Sequence, residues 1–207
     1  MNRQTERLSL AGAAGRIEAL SDSPDGEPIG TAVIAHPHPL FGGTMDNKVV
    51  QTLARAFVQC GWRAVRFNFR GVGASEGVHD EGRGEADDMQ AVIQQVASDG
   101  ALSLAGFSFG AFVASQALAG LWPARTPERL VLIGTAASRF SVAAIPAELH
   151  PRTLVVHGEQ DDTVPLAAVL DWARPQSLPV TVFPGGGHFF HGQLPLLKDT
   201  VARHLRA

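Results

Sequence analysis

A serine, a pair of adjacent aspartates and two histidines stand out because each follows an apolar run and sits among glycines or turn residues. Ser108 lies in Gly106-Phe107-Ser108-Phe109-Gly110, between the apolar run 101–105 and the small-residue run 111–119. Read together they are strand, tight turn and helix, the context in which G-x-S-x-G exposes a nucleophilic hydroxyl. Glycine at 106 and 110 removes side chains for which so tight a turn has no room. Further on, His157-Gly158-Glu159-Gln160-Asp161-Asp162 follows another apolar run, and Gly185-Gly186-Gly187-His188 follows the last one. A serine hydroxyl is a weak nucleophile until an imidazole takes its proton, and the imidazole needs a carboxylate behind it to hold its tautomer. The chain order serine, acid, histidine is the one this strand–turn–helix arrangement uses. Both Asp161 and Asp162 are candidates for the acid; Asp162 is also placed to cap or begin a helix at Pro165. For the base, His188 is favoured over His191, because the glycines before it free the backbone to deliver the ring. His157 heads the acid turn and is expected to pack or hydrogen-bond there.

These groups need a frame that brings distant loops to one edge. Residues 7–10 and 16–20 read as two short strands of a hairpin, and 31–35 as a strand buried on both faces. The Pro/Gly-rich stretch 36–43 is expected to hold no regular structure. Asp46 or Asn47 caps the next helix, whose stripe is Val50, Leu53, Ala54 and Phe57 and which Gly61 stops. A strand is expected over 63–70, with Val65, Phe67 and Phe69 alternating against Arg66 and Asn68, then a turn-rich loop over 71–77. Glu85, Asp87 and Asp88 open a helix as acids near the positive end of its dipole, and Met89, Val92, Ile93 and Val96 are its buried stripe. Strands follow at 130–133, 153–156 and 178–183, with a helix from 165 to about 173 and a last helix over 195–205. Such alternation demands an α/β fold with a mostly parallel sheet and helices on both faces, here preceded by an antiparallel hairpin. Function then collects in loops beyond the carboxyl ends of the strands.

Composition narrows the classes. A chain of 207 residues, 45% hydrophobic and 18% charged, is read as one globular domain over 1–207. The net charge of −3, without any Lys/Arg run, argues against nucleic acid as a partner. Cys60 stands alone, so no internal disulfide or Cys-rich zinc site is expected, and it reads as a packed thiol at a helix end. Residues 1–6 carry no apolar h-region and no run is long enough to span a bilayer, so the expectation is a cytoplasmic protein with no membrane partner, monomeric or homodimeric. His36 and His38, with His79 and Asp80 elsewhere, fall short of a zinc ligand set. The loop 71–77 lacks both the order and the lysine of a phosphate loop. No metal and no cofactor is therefore expected.

The combined motifs resemble the alpha/beta-hydrolase superfamily over nearly the whole chain: Gly106 to Gly110, His157-Gly158-x-x-Asp161-x-x-Val164-Pro165, Gly187-His188, and Arg70-Gly71-x-Gly73-x-Ser75. His36-Pro37-His38-Pro39 with Gly42-Gly43 and Asn47-Lys48 looks like small lidless bacterial members related to dienelactone hydrolases and carboxylesterases. The resemblance implies Ser108, Asp161 and His188 as catalytic triad, with Asp161 selected by the family's acid-turn spacing. It implies an oxyanion hole from the backbone N–H of Phe109 and of His38, the latter by analogy with His-Gly-x in relatives. Here prolines stand at 37 and 39, so only His38, Leu40 or a later residue has an N–H to offer. The segment 136–152 is too short for a cap domain, so an open site is expected. Phe41, Met45, Phe109, Trp122, Phe140, Phe189 and Phe190 are apolar candidates for its mouth. The implied activity is hydrolysis of a small, neutral, short-chain carboxylic ester through an acyl-enzyme. Thioesterase, lactonase and peptidase remain open, as does a non-catalytic binding protein on the same fold.

Overall fold

The computed structural model describes residues 5–207. The expectation of no leader peptide rests largely on residues 1–4 and lies outside the described residues. No helix among the described residues is long and apolar enough to cross a membrane.

The sheet is organised around β3 (Thr31–Ala35), buried at every residue because it is covered on both faces. Its side chains alternate: Ala32 and Ile34 join one core, Val33 and Ala35 the other. The hairpin β1 (Thr5–Gly12) and β2 (Gly15–Asp22) precedes it, and β4 (Arg63–Phe67), β5 (Leu102–Phe107), β6 (Arg129–Ile133), β7 (Thr153–Gly158) and β8 (Val180–Phe183) follow. The spatial order is β1-β2-β4-β3-β5-β6-β7-β8, antiparallel from β1 to β4 and parallel from β4 to β8. Helices α1 (Lys48–Gln59) and α5 (Leu194–Arg206) cover one face through Val50, Leu53, Phe57, Leu197 and Val201. Helices α2 (Arg83–Val96), α3 (Phe109–Leu121) and α4 (Leu166–Ala173) cover the other, led by Met89, Ile93, Val113, Leu118 and Val169. From β3 the chain leaves toward β4, and from its neighbour β5 toward β6. Adjacent loops that depart in opposite directions leave a crevice at the carboxyl end of the β3–β5 pair.

Several boundaries differ from the sequence reading. The hairpin strands run further, to a two-residue turn at Ala13-Ala14, with Gly15 at φ 116°. The 36–43 stretch holds one turn of 3-10 helix, Pro39–Phe41. Asn47, not Asp46, caps α1, its Oδ1 accepting from Val49 N–H. β4 ends at Phe67: Asn68 keeps one in-register bond to β2, and the chain then turns toward the loop after β3. Asn68 N–H donates to the Glu18 carbonyl, its Oδ1 accepts from Met45 N–H, and Phe69 N–H donates to the His36 ring. Arg66 is buried and ion-paired with Asp22 at 3.0 Å.

The acids opening α2 do more than face its dipole. Glu85 and Asp88 are buried, while Asp87 is exposed. Asp88 takes a forked pair of hydrogen bonds from Arg70 Nε and Nη2, each 2.8 Å, and Arg70 also donates to the Gly84 carbonyl. This pair ties the loop after β4 to α2. The Asp88 partner raises the Arg70 pKa further. Removing one member of a buried pair leaves the other charge uncompensated. Asp88→Ala is therefore expected to cost about 3–5 kcal/mol of folding stability, measured by urea unfolding. A loss below about 1 kcal/mol would mean that water replaces the carboxylate without penalty.

Candidate active site

At the end of β5 the backbone turns so sharply that Ser108 adopts φ 57°, ψ −116°. A side chain at Gly106 would run into the Gly110 carbonyl, and one at Gly110 into the carbonyls of Ala35 and His36. The two glycines thus let the turn close on itself and press against the end of β3. Ser108 N–H still donates to the Ile133 carbonyl at 2.8 Å, which holds the residue to β6 while its side chain leaves the sheet.

Ser108, Asp161 and His188 meet beyond the carboxyl ends of β5, β7 and β8, and all three are buried. Ser108 Oγ lies 3.0 Å from His188 Nε2. His188 Nδ1 lies 2.7 Å from Asp161 Oδ2. With Nδ1–H donating to the carboxylate, Nε2 is left as the acceptor for the serine hydroxyl. The other carboxylate oxygen accepts from the N–H groups of Thr163 at 3.0 Å and Val164 at 2.8 Å. Burial pushes the Asp161 pKa up, but the hydrogen bonds from His188 and Val164 outweigh it and hold the group below the usual carboxylate value. The acid and histidine loops approach at Gly158, where a side chain would meet the Gly186 carbonyl. His157 is fully buried, with Nε2 2.8 Å from the Val164 carbonyl.

Asp162 is exposed and bonded to the Thr163 hydroxyl. The expected capping role for it is not found, since Pro165 occupies the N-cap of α4 and the first turn holds no acid. His191 is exposed on the surface side of Phe189.

On the facing wall, the loop after β3 is set by His36. This buried ring accepts the Phe69 N–H on Nε2 at 3.0 Å, so its proton sits on Nδ1 and is donated to the Pro37 carbonyl at 2.6 Å. Both nitrogens are occupied by backbone. Next to it, Leu40 N–H is turned to the His38 ring at 3.3 Å, while the N–H groups of His38 and Phe109 have no acceptor among the described residues. A side chain at Gly43 would collide with the Pro37 carbonyl, so the loop folds tightly back on itself.

A cavity of about 250 Å³ opens between these walls, lined by His38, Phe41, Asn47, Ser108, Phe109, Arg139, Phe140, Thr163, His188 and Phe189 among others. Of the seven apolar candidates for the mouth, Phe41, Phe109, Phe140 and Phe189 line it. Met45 is buried beneath, Trp122 lies at the far end of α3, and Phe190 packs on Phe183 in the core. A larger cleft of about 500 Å³ lies between α1 and β2–β4. Its buried Arg66 is already paired with Asp22 and Asp46, and no nucleophile lines it. Among the described residues no cluster of three or more His, Cys, Asp or Glu is arranged to hold a metal. Sequence reasoning missed Asn47 and Arg139 as lining residues; it points to a structural part for His36 but not to its partners, the Phe69 N–H and the Pro37 carbonyl.

An eight-stranded, mostly parallel sheet with an antiparallel start, a strained serine turn after its central strands and no inserted cap is the alpha/beta-hydrolase fold of serine hydrolases. The sequence model of the family described as X-Pro dipeptidyl-peptidase (S15 family) matches residues 23–144. XC6422 from Xanthomonas campestris, described as an a/b serine hydrolase without lid, is 36% identical with a TM-score of 0.87, over 100% of this chain and 95% of that one. An alpha-beta serine hydrolase homologue from Coxiella burnetii is 37% identical with a TM-score of 0.83, over 99% of each chain. Protein RP471 of Rickettsia prowazekii is 45% identical over 117 residues, 53% of this chain, and the match spans about half of that relative, 48%. The chain belongs to the S15 peptidase family within the alpha/beta-hydrolase superfamily, and among solved structures it is similar to lidless serine hydrolases.

Burial pushes the His36 pKa down from 6.5 to about 4. Unfolding restores the higher value, so between these limits the unfolded chain binds more protons. Stability is full above pH 6.5 and falls as the pH drops toward 4, by about 3 kcal/mol from this one ring. Urea unfolding between pH 7.5 and 4.5 should show this loss, and His36→Gln should flatten it. An unchanged slope in His36→Gln would contradict the assignment.

Proposed function

We propose that this protein is a serine hydrolase that cleaves small carboxylic esters through an acyl-enzyme. The observation that carries the reading is the unbroken array Ser108 Oγ, His188 and Asp161, at 3.0 and 2.7 Å, opening into a cavity with a serine on its wall. In the proposed reaction His188 Nε2 takes the hydroxyl proton as Ser108 Oγ attacks the ester carbonyl. Asp161 keeps the ring in its working tautomer and stabilises the imidazolium. The free N–H groups of Phe109 and His38 receive the developing oxyanion, and Leu40 is the poorer candidate because its N–H already faces the His38 ring. His188 then returns the proton to the departing alkoxide. Water attacks the acyl-serine by the same route, releasing the acid and restoring Ser108.

Four phenylalanines on the wall, Phe41, Phe109, Phe140 and Phe189, suit a neutral acyl or alkoxy group of modest size. The family's description raises a second reading, a dipeptidyl-peptidase. An amino-terminal dipeptide brings an ammonium group, which calls for a free carboxylate in the pocket. The charge on this wall is instead Arg139, and the oxygens of Asp161 are taken by His188, Thr163 and Val164. The ester reading is therefore preferred, with thioesters and lactones accessible to the same chemistry.

A screen of p-nitrophenyl esters of increasing acyl length, alongside thioesters, lactones and X-Pro dipeptide anilides, tests this reading. Short esters are expected to turn over fastest. Ser108→Ala should lower kcat by about 10³-fold or more and abolish fluorophosphonate labelling. Asp161→Asn should keep labelling slow and lower kcat by about 10³–10⁴-fold through the wrong His188 tautomer. Labelling that persists unchanged in Ser108→Ala would reject the mechanism, and turnover of the dipeptide anilide alone would move the protein to the second reading.

A further inference from the structure

The two N–H groups proposed for the oxyanion come from different segments. His38 belongs to the loop after β3, and Phe109 is the first residue of α3. No hydrogen bond links these two residues among those described. Two rings touch both: Phe140, at 5.9 and 5.1 Å, and His79, from the loop between β4 and α2. The His79 centroid lies 4.8 Å from the His38 ring and 5.5 Å from the Phe109 ring, and those two rings are themselves 4.8 Å apart.

That ring is held from behind. His79 Nδ1 lies 2.8 Å from Oε1 of Glu85, a carboxylate with no exposed side-chain surface. Glu85 is itself fixed by two backbone groups: Asp80 N–H donates to Oε1 at 3.0 Å and Gly82 N–H to Oε2 at 2.7 Å. The loop has little freedom around this point. A side chain at Gly82 would strike the Phe112 ring, and Arg70 grips the Gly84 carbonyl and Asp88 one turn along α2. Phe112 stacks on Phe140, which borders Phe109. The buried carboxylate thus does two things: it closes the N-terminus of α2 through the Asp80 and Gly82 N–H groups, and it fixes the orientation of one imidazole that lies outside the Ser108–His188–Asp161 array.

We infer that His79, oriented by Glu85, is a positioning residue that sets the spacing of the His38 and Phe109 N–H groups for the oxyanion. The inference rests on the ester-hydrolase reading of Ser108. A donor shifted by a fraction of an ångström weakens the bond to the developing oxyanion more than the bond to the ground-state carbonyl, so the loss falls on kcat and spares KM.

The test compares wild type with His79→Ala and His79→Asn on p-nitrophenyl butyrate, with phenylboronic acid as a tetrahedral inhibitor. Asparagine keeps an N–H donor for Glu85, so the loop stays anchored while the ring is lost. The expected result is a kcat lowered about tenfold in both variants, KM within about twofold, and phenylboronic acid inhibition weakened by the same factor as kcat. The melting temperature of His79→Asn should stay within a few degrees of wild type. A folded His79→Asn with kcat and boronate affinity at wild-type level overturns the inference. So does a loss of kcat that tracks the melting temperature across the two variants, or a rise in KM of equal size, since either assigns His79 a merely structural part. A wild-type protein that neither turns over the ester nor binds the boronate overturns the underlying reading of Ser108 instead.

Discussion

Ser108 is held at φ 57°, ψ −116°, in a region of backbone space that residues with a side chain rarely occupy. Such a conformation persists only where its surroundings over-determine it. Here they do so from three sides. The Ile133 carbonyl takes the Ser108 N–H, the Ser108 carbonyl accepts the Ala111 N–H at the start of α3, and Gly106 and Gly110 allow backbone to meet backbone where a methyl group would not fit. The approach of Gly110 to the ends of Ala35 and His36 also brings the start of α3 against the end of β3. The position of the serine and the position of the facing loop are therefore set by one contact.

Around that contact, the loops after β3, β4 and β7 are fastened by buried polar groups whose partners are backbone or an opposite charge. His36 joins the loop after β3 to the end of β4. Arg70 and Asp88 join the loop after β4 to α2. Asp161 closes its own turn through Thr163 and Val164 before it reaches His188. Glu85 gathers two N–H groups and His79. Polar groups buried with their hydrogen bonds satisfied specify one arrangement more tightly than apolar packing does. A candidate site assembled from loops with no inserted cap needs that rigidity, because nothing closes over it to complete its geometry.

The parts of the site that lie within a few residues of a strand end were readable in the sequence. That Ser108, an acid at 161 or 162, and His188 would face one another follows from apolar runs ending in glycine-rich turns. The mostly parallel sheet follows from the alternation of strands and helices, but the neighbours of each strand do not, since periodicity says which face is buried and nothing about pairing. The end of β4 illustrates the limit. Val65, Phe67 and Phe69 alternate without a break, yet after Asn68 has bonded Glu18 of β2, Phe69 gives its N–H to the His36 ring and leaves the ladder. Composition does not say which aromatics point into the cavity: Phe109 lines it, whereas Phe190 packs on Phe183 and Trp122 sits at the end of α3. The pairing of His79 with Glu85 carries no periodic signal, because a loop wraps it around the start of α2 and a charge near a helix start reads equally well as a dipole partner.

The proposed acyl-enzyme requires that Ser108 become covalently acylated during turnover. Rapid acid quenching of the protein with a p-nitrophenyl ester, followed by intact-mass and peptide-mapping mass spectrometry, tests it most directly. The expected result is a transient species heavier by one acyl group, mapped to Ser108, formed together with a burst of about one nitrophenol per protein. Steady hydrolysis with no acylated species at the earliest times, or with the acyl group on another residue, would contradict it.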